Sequence, residues 1–232
     1  MRTWEAIGGG LSVAVDAHCR VSEDGLLLAK FAAPKADDTA VDLGTGNGVI
    51  PLYWCRREPP RHITAVEREA AFCALAMAAI DKHDLTDRIT LLHTDWNDKD
   101  AMPEAGTASL VTCNPPYFPY GSSRPRPDAL RDAARREDSP TVLADVCRAA
   151  GRLLTANGRF CLCHRPERLE DVFSALREAG VVPRRLQFVQ SREGAAPWLF
   201  LLEAAKSGTL QVSAPLVLHK IGTHTAVYKR LY

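Results

Sequence analysis

The run Asn114-Pro115-Pro116-Tyr117-Phe118 has the make-up of a site that holds a planar amine. It follows an apolar stretch, Ala108 to Cys113, that reads as a buried strand. Two prolines supply no backbone donors and cannot extend a ladder, so the strand stops there. They also fix the backbone, so that the Asn114 side chain and the carbonyls of Asn114 and Pro115 can point one way into a cleft. Two acceptors take the two N–H bonds of an amine, and the face of Tyr117 stacks on the ring that carries it. A Pro-rich turn with one buried Asn uses the same letters. The difference lies upstream.

Thr39 to Leu43 is a second buried strand, and it runs into Gly44-Thr45-Gly46-Asn47-Gly48. Val49 to Trp54 then opens a helix. A strand, a Gly loop and a helix in this order let backbone N–H groups approach a ligand with no Cβ in the way. The third glycine follows the second by two positions, not by the three of a dinucleotide fingerprint. Asp42 stands just before the loop, and a carboxylate there favours a cation or an amine over a pyrophosphate. His62 to Glu67 is the third strand. It places Glu67 about 20 residues beyond the loop, where an acid binds a ribose hydroxyl pair. Arg88 to His93 is the fourth, ending at Asp95-Trp96. Asp95 can accept from an adenine amine with Trp96 near the ring, or it can simply cap a turn.

Strands of this kind need helices between them. Glu69 to His83, Thr141 to Leu154 and Pro166 to Ala179 have helical spacing, and Arg159 to His164 is a strand. Val181 to Val189 and Trp198 to Ala204 form a closing antiparallel pair, and Leu210 to Leu218 adds an edge strand. Before the first core strand, Gly8-Gly9-Gly10 reads as a flexible break. Leu11 to Val15 alternates as a strand whose hairpin partner is Cys19 to Val21. Ser22 then caps a helix carrying Leu26, Leu27, Leu28, Ala29 and Phe31. Residues 1–34 are thus expected to form an extension or lid, with Asp24 leaning over the pocket. The alternation of strands and helices makes the fold α/β with a parallel sheet. The Gly loop, Glu67, Asp95 and Asn114 then share the C-terminal strand edge, where ligands bind near the topological switch point.

The chain has 232 residues, is 46% hydrophobic and 25% charged, and carries a net charge of +1. That suits one large domain and excludes an overall basic field for nucleic acid. A basic region is local: between Gly121 and Arg136, Arg124, Arg126, Arg131, Arg135 and Arg136 face only Asp128 and Asp132. Such a loop beside a cleft suits phosphates, and a solvated charged loop is the plainer alternative. Seven cysteines have no metal-like spacing. They read as reduced core thiols of a cytoplasmic protein, with no metal centre and no membrane span.

Asp-x-Gly-x-Gly-x-Gly, then a strand-end acid, then Asn-Pro-Pro-Tyr resembles a class I S-adenosylmethionine-dependent methyltransferase acting on an exocyclic or amide nitrogen. The resemblance runs from about Asp24 to about Ala205. It implies a Rossmann-like seven-stranded sheet with the last strand antiparallel, residues 35–232 as the methyltransferase domain, and S-adenosylmethionine as cofactor. It implies that Gly44, Gly46 and Gly48 pack on that cofactor, with Thr45, Asn47 and Asp42 beside them. Glu67 holds the ribose, and Asp95 and Trp96 border the adenine. Asn114, Pro115 and Tyr117 face the substrate amine. Asn-Pro-Pro-Tyr-Phe, Asp24 to Ala29, Arg135-Arg136 before Glu137 and the stretch from Arg184 to Lys206 are similar to the bacterial tRNA1(Val) adenine-37 N6-methyltransferases. That resemblance implies tRNA as the partner, stacked on Tyr117 and Phe118 and held by Arg124, Arg126, Arg135 and Arg136. Methylation of another RNA base, of DNA adenine or of a protein glutamine is the alternative. An NAD-dependent oxidoreductase would leave Asn-Pro-Pro-Tyr unexplained. A silent RNA-binding subunit would not need Asn114 and the glycines intact.

Overall fold

The computed structural model describes residues 2–117, 142–220, 223–224 and 228. The chain opens with strands β1 (Thr3–Gly8) and β2 (Leu11–Val15), followed by helix α1 (Glu23–Ala32). The core begins with β3 (Thr39–Leu43), α2 (Val49–Trp54), β4 (His62–Glu67), α3 (Ala70–Lys82), β5 (Ile89–His93) and β6 (Ala108–Cys113). It continues with α4 (Val142–Leu153), β7 (Leu154–His164), α5 (Leu169–Glu178), β8 (Val182–Arg192) and β9 (Leu199–Ala205). Three short strands close it: β10 (Gln211–Val212), β11 (Leu216–Lys220) and β12 (Thr223–His224).

The main sheet runs in the order β12-β11-β8-β9-β7-β6-β3-β4-β5, with β10 on β8. Strands β5, β4, β3, β6 and β7 are mutually parallel, and β9 lies antiparallel between β7 and β8. The expected closing pair therefore forms, and β9 is inserted into the sheet instead of ending it. The stretch expected as one edge strand becomes β10 and β11, both parallel to β8. After β5 the chain returns to lay β6 on the other side of β3. That reversal is the switch point, and it opens a crevice between the ends of β3 and β6.

Both faces of the sheet are covered, so its central strands are apolar almost throughout, as in other parallel sheets. Val41, Leu43, Val111, Phe160 and Leu162 pack beneath α4 and α5. On the other face Ala40, Ile63, Leu110, Cys161 and Cys163 pack against α1 and α2. Ser22 caps α1, its hydroxyl accepting from the Gly25 N–H at 3.1 Å. Glu23 and Asp24 in the first turn suit the helix dipole. The Trp54 indole donates to the Ala29 carbonyl at 2.9 Å and fixes α2 on α1.

The N-terminal hairpin corrects the sequence expectation. The partner of Leu11–Val15 is Thr3–Gly8, not Cys19–Val21. Gly9 and Gly10, both with positive φ (61° and 80°), form a tight two-residue turn, not a flexible break. Cys19 cannot join a ladder, because its N–H and that of His18 are taken by Asp16 Oδ1 at 2.8 Å. All seven cysteines are free thiols, five of them buried. Among the described residues no helix is long and apolar enough to cross a membrane.

Candidate active site

Strand register sets out the site. Leu162 of β7 pairs with Cys113 of β6, Cys113 with Leu43 of β3, and Leu43 with Val66 of β4. The next residues along these strands are Cys163, Asn114, Gly44 and Glu67. They form one row across the sheet edge, straddling the switch point. Above the row lies a cleft of about 660 Å³. Its walls include Ser22 to Asp24, Leu43 to Asn47, Glu67, Trp96, Asn114 to Tyr117 and Arg165.

On the β4 side, Glu67 grips the glycine loop. Its Oε2 accepts from the Gly46 N–H at 2.8 Å and its Oε1 from the Glu69 N–H at 2.9 Å. The Thr45 N–H donates to the Val66 carbonyl at 2.9 Å, so the loop is tied to β4 twice. Gly44 and Gly46 have φ of 68° and 59°, which L side chains rarely adopt. A Cβ on Gly44 would come within 3.3 Å of the Trp96 ring. Glu67 is buried, and desolvation raises its carboxyl pKa against the N–H groups of Glu69, Gly46 and Arg68. The carboxylate lines the cleft and keeps acceptor capacity there, which suits a vicinal diol. Asn47 donates from Nδ2 to the Ala14 carbonyl at 3.2 Å and joins the loop to the hairpin.

Asp42 and Gly48 stand apart from the cleft wall. Gly48 is the N-cap of α2, where a Cβ would press on Leu52 and Ala76. Asp42 is buried under the loop, where its Oδ1 accepts from the Thr112 hydroxyl at 2.6 Å. Its Oδ2 and the Thr45 hydroxyl are buried and complete no hydrogen bond among the described residues. Desolvation pushes the Asp42 carboxyl up to about 7, with the Thr112 hydroxyl opposing the rise and Glu67 adding to it. Trp96 lines the cleft. Asp95 turns away, its Oδ1 accepting from the Asn97 N–H at 2.8 Å and its Oδ2 3.9 Å from Arg68.

On the β7 side, Asn114 Oδ1 accepts from the Tyr117 hydroxyl at 2.5 Å and from the Cys163 thiol at 3.1 Å. The Tyr117 ring meets the His164 ring edge-on, centroids 5.4 Å apart, and Arg165 lies 5.1 Å above it. Arg165 also lies 5.4 Å from the Trp198 ring and donates to the Trp198 carbonyl at 2.8 Å. Burial holds His164 neutral, its pKa lowered to about 3 with Arg168 contributing. Its Nδ1 accepts from the Arg165 N–H at 2.9 Å, so Nε2 carries the proton. The sequence does not mark Cys163, His164 and Arg165 as site residues. The strand Arg159–His164 is legible there, but which neighbour its end faces depends on sheet order. Phe118, Arg124, Arg126, Arg135 and Arg136 lie outside the described residues.

Residues 17–126 match the model of the methyltransferase small domain family. A Porphyromonas gingivalis tRNA1(Val) (adenine(37)-N6)-methyltransferase is 31% identical over 225 residues, covering 91% of this chain and 86% of that protein. The chain belongs to the tRNA1(Val) (adenine(37)-N6)-methyltransferase family. A Shewanella amazonensis member is also 31% identical, over 80% of this chain and 78% of its own. Among solved structures, a predicted O-methyltransferase from Agrobacterium tumefaciens superposes with a TM-score of 0.70 at 22% identity, covering 90% of this chain and 94% of that one. It shows the methyltransferase fold.

Asp42 gives this methyltransferase a signature in its pH dependence. With a folded pKa of about 7, above the ordinary 3.8, the native state holds more protons than the unfolded chain between those values. Stability therefore rises as pH falls through that window. One pKa unit is worth about 1.4 kcal/mol, so the contribution is on the order of a few kcal/mol. Asp42→Asn should flatten the dependence of melting temperature on pH between about 4 and 7 relative to wild type. Parallel melting curves over that range would assign the raised pKa to another group.

Proposed function

We propose that this chain transfers the methyl group of S-adenosylmethionine to N6 of an adenine in tRNA, with Asn114 as the acceptor for the reacting amine. One observation carries the reading. The acid suited to a ribose and the amide suited to an amine flank the same glycine loop, on the strands either side of β3. The cofactor half of the cleft is Gly44 to Asn47, Glu67 and Trp96, with Asp42 and Gly48 shaping the loop from beneath. Asp95 stands at its adenine end. The glycine cradle and the diol-matched oxygens of Glu67 fit the cofactor, and the carboxylates of Glu23 and Asp24, in a wall that also holds Arg20, Arg68 and Arg165, suit its cationic centre. When bound, S-adenosylmethionine supplies a methyl group already activated for in-line displacement.

The chain's own task is then to position the amine and polarise it. Asn114 Oδ1, with the Asn114 and Pro115 carbonyls, draws the amine lone pair out of ring conjugation and stabilises the charge that develops on nitrogen. The Tyr117 hydroxyl occupies one lone pair of Oδ1, and the amine takes over that place. Tyr117 and Phe118 offer stacking surfaces to a base turned out of its RNA fold. Residues 1–34 act as a lid, with α1 walling the cleft beside Asn114. The rest of the chain is the catalytic domain, and the enzyme works in the cytoplasm, where its RNA is.

Methyl transfer from labelled cofactor to bulk tRNA, duplex DNA and a glutamine peptide tests the substrate class. Label in tRNA alone is the expected outcome, and label in DNA or peptide alone would overturn it. The basic loop carries a separate expectation. If Arg124, Arg126, Arg135 and Arg136 meet phosphates, reversing two of these charges should weaken tRNA binding. It should also reduce the slope of log affinity against log salt by about one for each phosphate no longer neutralised. Cofactor affinity should stay fixed, and an unaltered slope would make the loop a solvated surface.

A further inference from the structure

Asn114 can work on an amine only if its amide is held oxygen-first. Oxygen and nitrogen of an Asn side chain are nearly the same size, so packing alone does not choose between them. A donor aimed at one end does choose. The motif supplies one such donor, the Tyr117 hydroxyl, but the entering amine displaces it. A second donor must remain when the substrate is bound.

We propose that Cys163, at the end of β7, is the positioning residue that fixes the Asn114 amide for amine methylation. The inference rests on the reading of Asn114 given above. Cys163 is fully buried and follows Leu162, whose register partner is Cys113, so the sheet itself sets it beside Asn114. Its thiol donates to Asn114 Oδ1 at 3.1 Å and lies 3.5 Å from the Tyr117 hydroxyl. Burial, with Asp24 adding, pushes the thiol pKa up, so it stays a protonated donor at any working pH. The next two residues hold the other end of the motif. His164 is fully buried with its ring inclined at 66° to that of Tyr117, and its Nε2 completes no hydrogen bond among the described residues. Arg165 lies over one face of the Tyr117 ring, 5.1 Å from its centroid.

A thiol suits this role because it is a weak donor. It orients the amide without saturating Oδ1, which keeps its capacity for the amine. A Ser hydroxyl in the same place would orient the amide as well. An Ala would leave the two amide orientations closer in energy, and a fraction of molecules would present Nδ2, a donor, to the amine.

The test is a double-mutant cycle on the full chain, read by single-turnover methyl transfer to tRNA, with cofactor affinity by calorimetry and melting temperature in parallel. Cys163→Ala is expected to lower the rate about 3- to 10-fold, the equivalent of one hydrogen bond, with cofactor affinity and apparent KM within about twofold. Cys163→Ser is expected to recover most of that loss. In an Asn114→Ala background, Cys163→Ala is expected to cost nothing further. Equal rates for Cys163→Ala and wild type, no recovery by serine, or the same loss in both backgrounds would each overturn the role. If Asn114→Ala itself is near normal, the reading of Asn114 fails first and the role of Cys163 with it. If Asn114→Ala is crippled and the two losses simply multiply, only the role of Cys163 fails. Should Cys163→Ala not fold, Cys163→Ser alone decides. It must keep at least half the wild-type rate, and a larger loss overturns the inference.

Discussion

Asn114→Ala should lower the single-turnover rate of methyl transfer by roughly 10²- to 10³-fold, the loss typical of one electrostatic group removed from a desolvated transition state. The substitution leaves the glycine loop and Glu67 alone, so cofactor affinity should fall far less than turnover. The surroundings sharpen this expectation. The amide oxygen receives both the Tyr117 hydroxyl and the Cys163 thiol. Alanine removes the acceptor of the amine and also the anchor of the Tyr117 ring. Apparent KM for tRNA should therefore rise with the loss of kcat. Single-turnover transfer with cofactor binding measured alongside separates these effects.

Glu67→Ala should weaken S-adenosylmethionine by about 1–3 kcal/mol, the cost of losing charge-assisted hydrogen bonds to a diol. In this fold the carboxylate also accepts from the Gly46 and Glu69 N–H groups. Truncation strands two backbone donors, and the glycine loop should loosen with it. Glu67→Gln keeps one acceptor oxygen and should fall between the two. Acid should act on binding and stability in opposite senses. The Glu67 pKa is raised by burial, so the folded protein gains stability as pH falls. The diol needs the charged carboxylate, so cofactor affinity should fall over the same range. Calorimetry on the three proteins at two pH values checks the affinities, and melting temperatures at the same pH values check the stability. Unchanged affinity in Glu67→Ala would remove the residue from the site.

The core strands were legible because each is a short apolar run closed by Gly, Pro or an acid. The parallel sheet followed from helical spacing between them. The site was legible for the same reason: Gly44, Glu67 and Asn114 stand at the ends of core strands, and in an α/β sheet those ends share one edge. What the sequence did not disclose was set by cross-strand register. Cys163 reads as a core thiol on an alternating strand, and only its place beside β6 brings it to Asn114. The hairpin differs from the expected one because Gly8-Gly9-Gly10 fits a break and a turn equally, and pairing of Leu11–Val15 with Thr3–Gly8 makes it a turn. Asp42 stands next to the Gly loop in sequence and below it in space, where its β6 register partner Thr112 holds the buried carboxyl. Asp95 lies on the expected edge, but its turn uses the carboxylate for its own backbone.

Mass spectrometry of nucleosides released from tRNA after incubation with the protein and S-adenosylmethionine reads the chemistry directly. Wild type should produce N6-methyladenosine, and Asn114→Ala, folded and still binding cofactor, should produce on the order of a hundredth as much at early times. A different methylated nucleoside, or N6-methyladenosine formed as quickly without Asn114, would contradict the account.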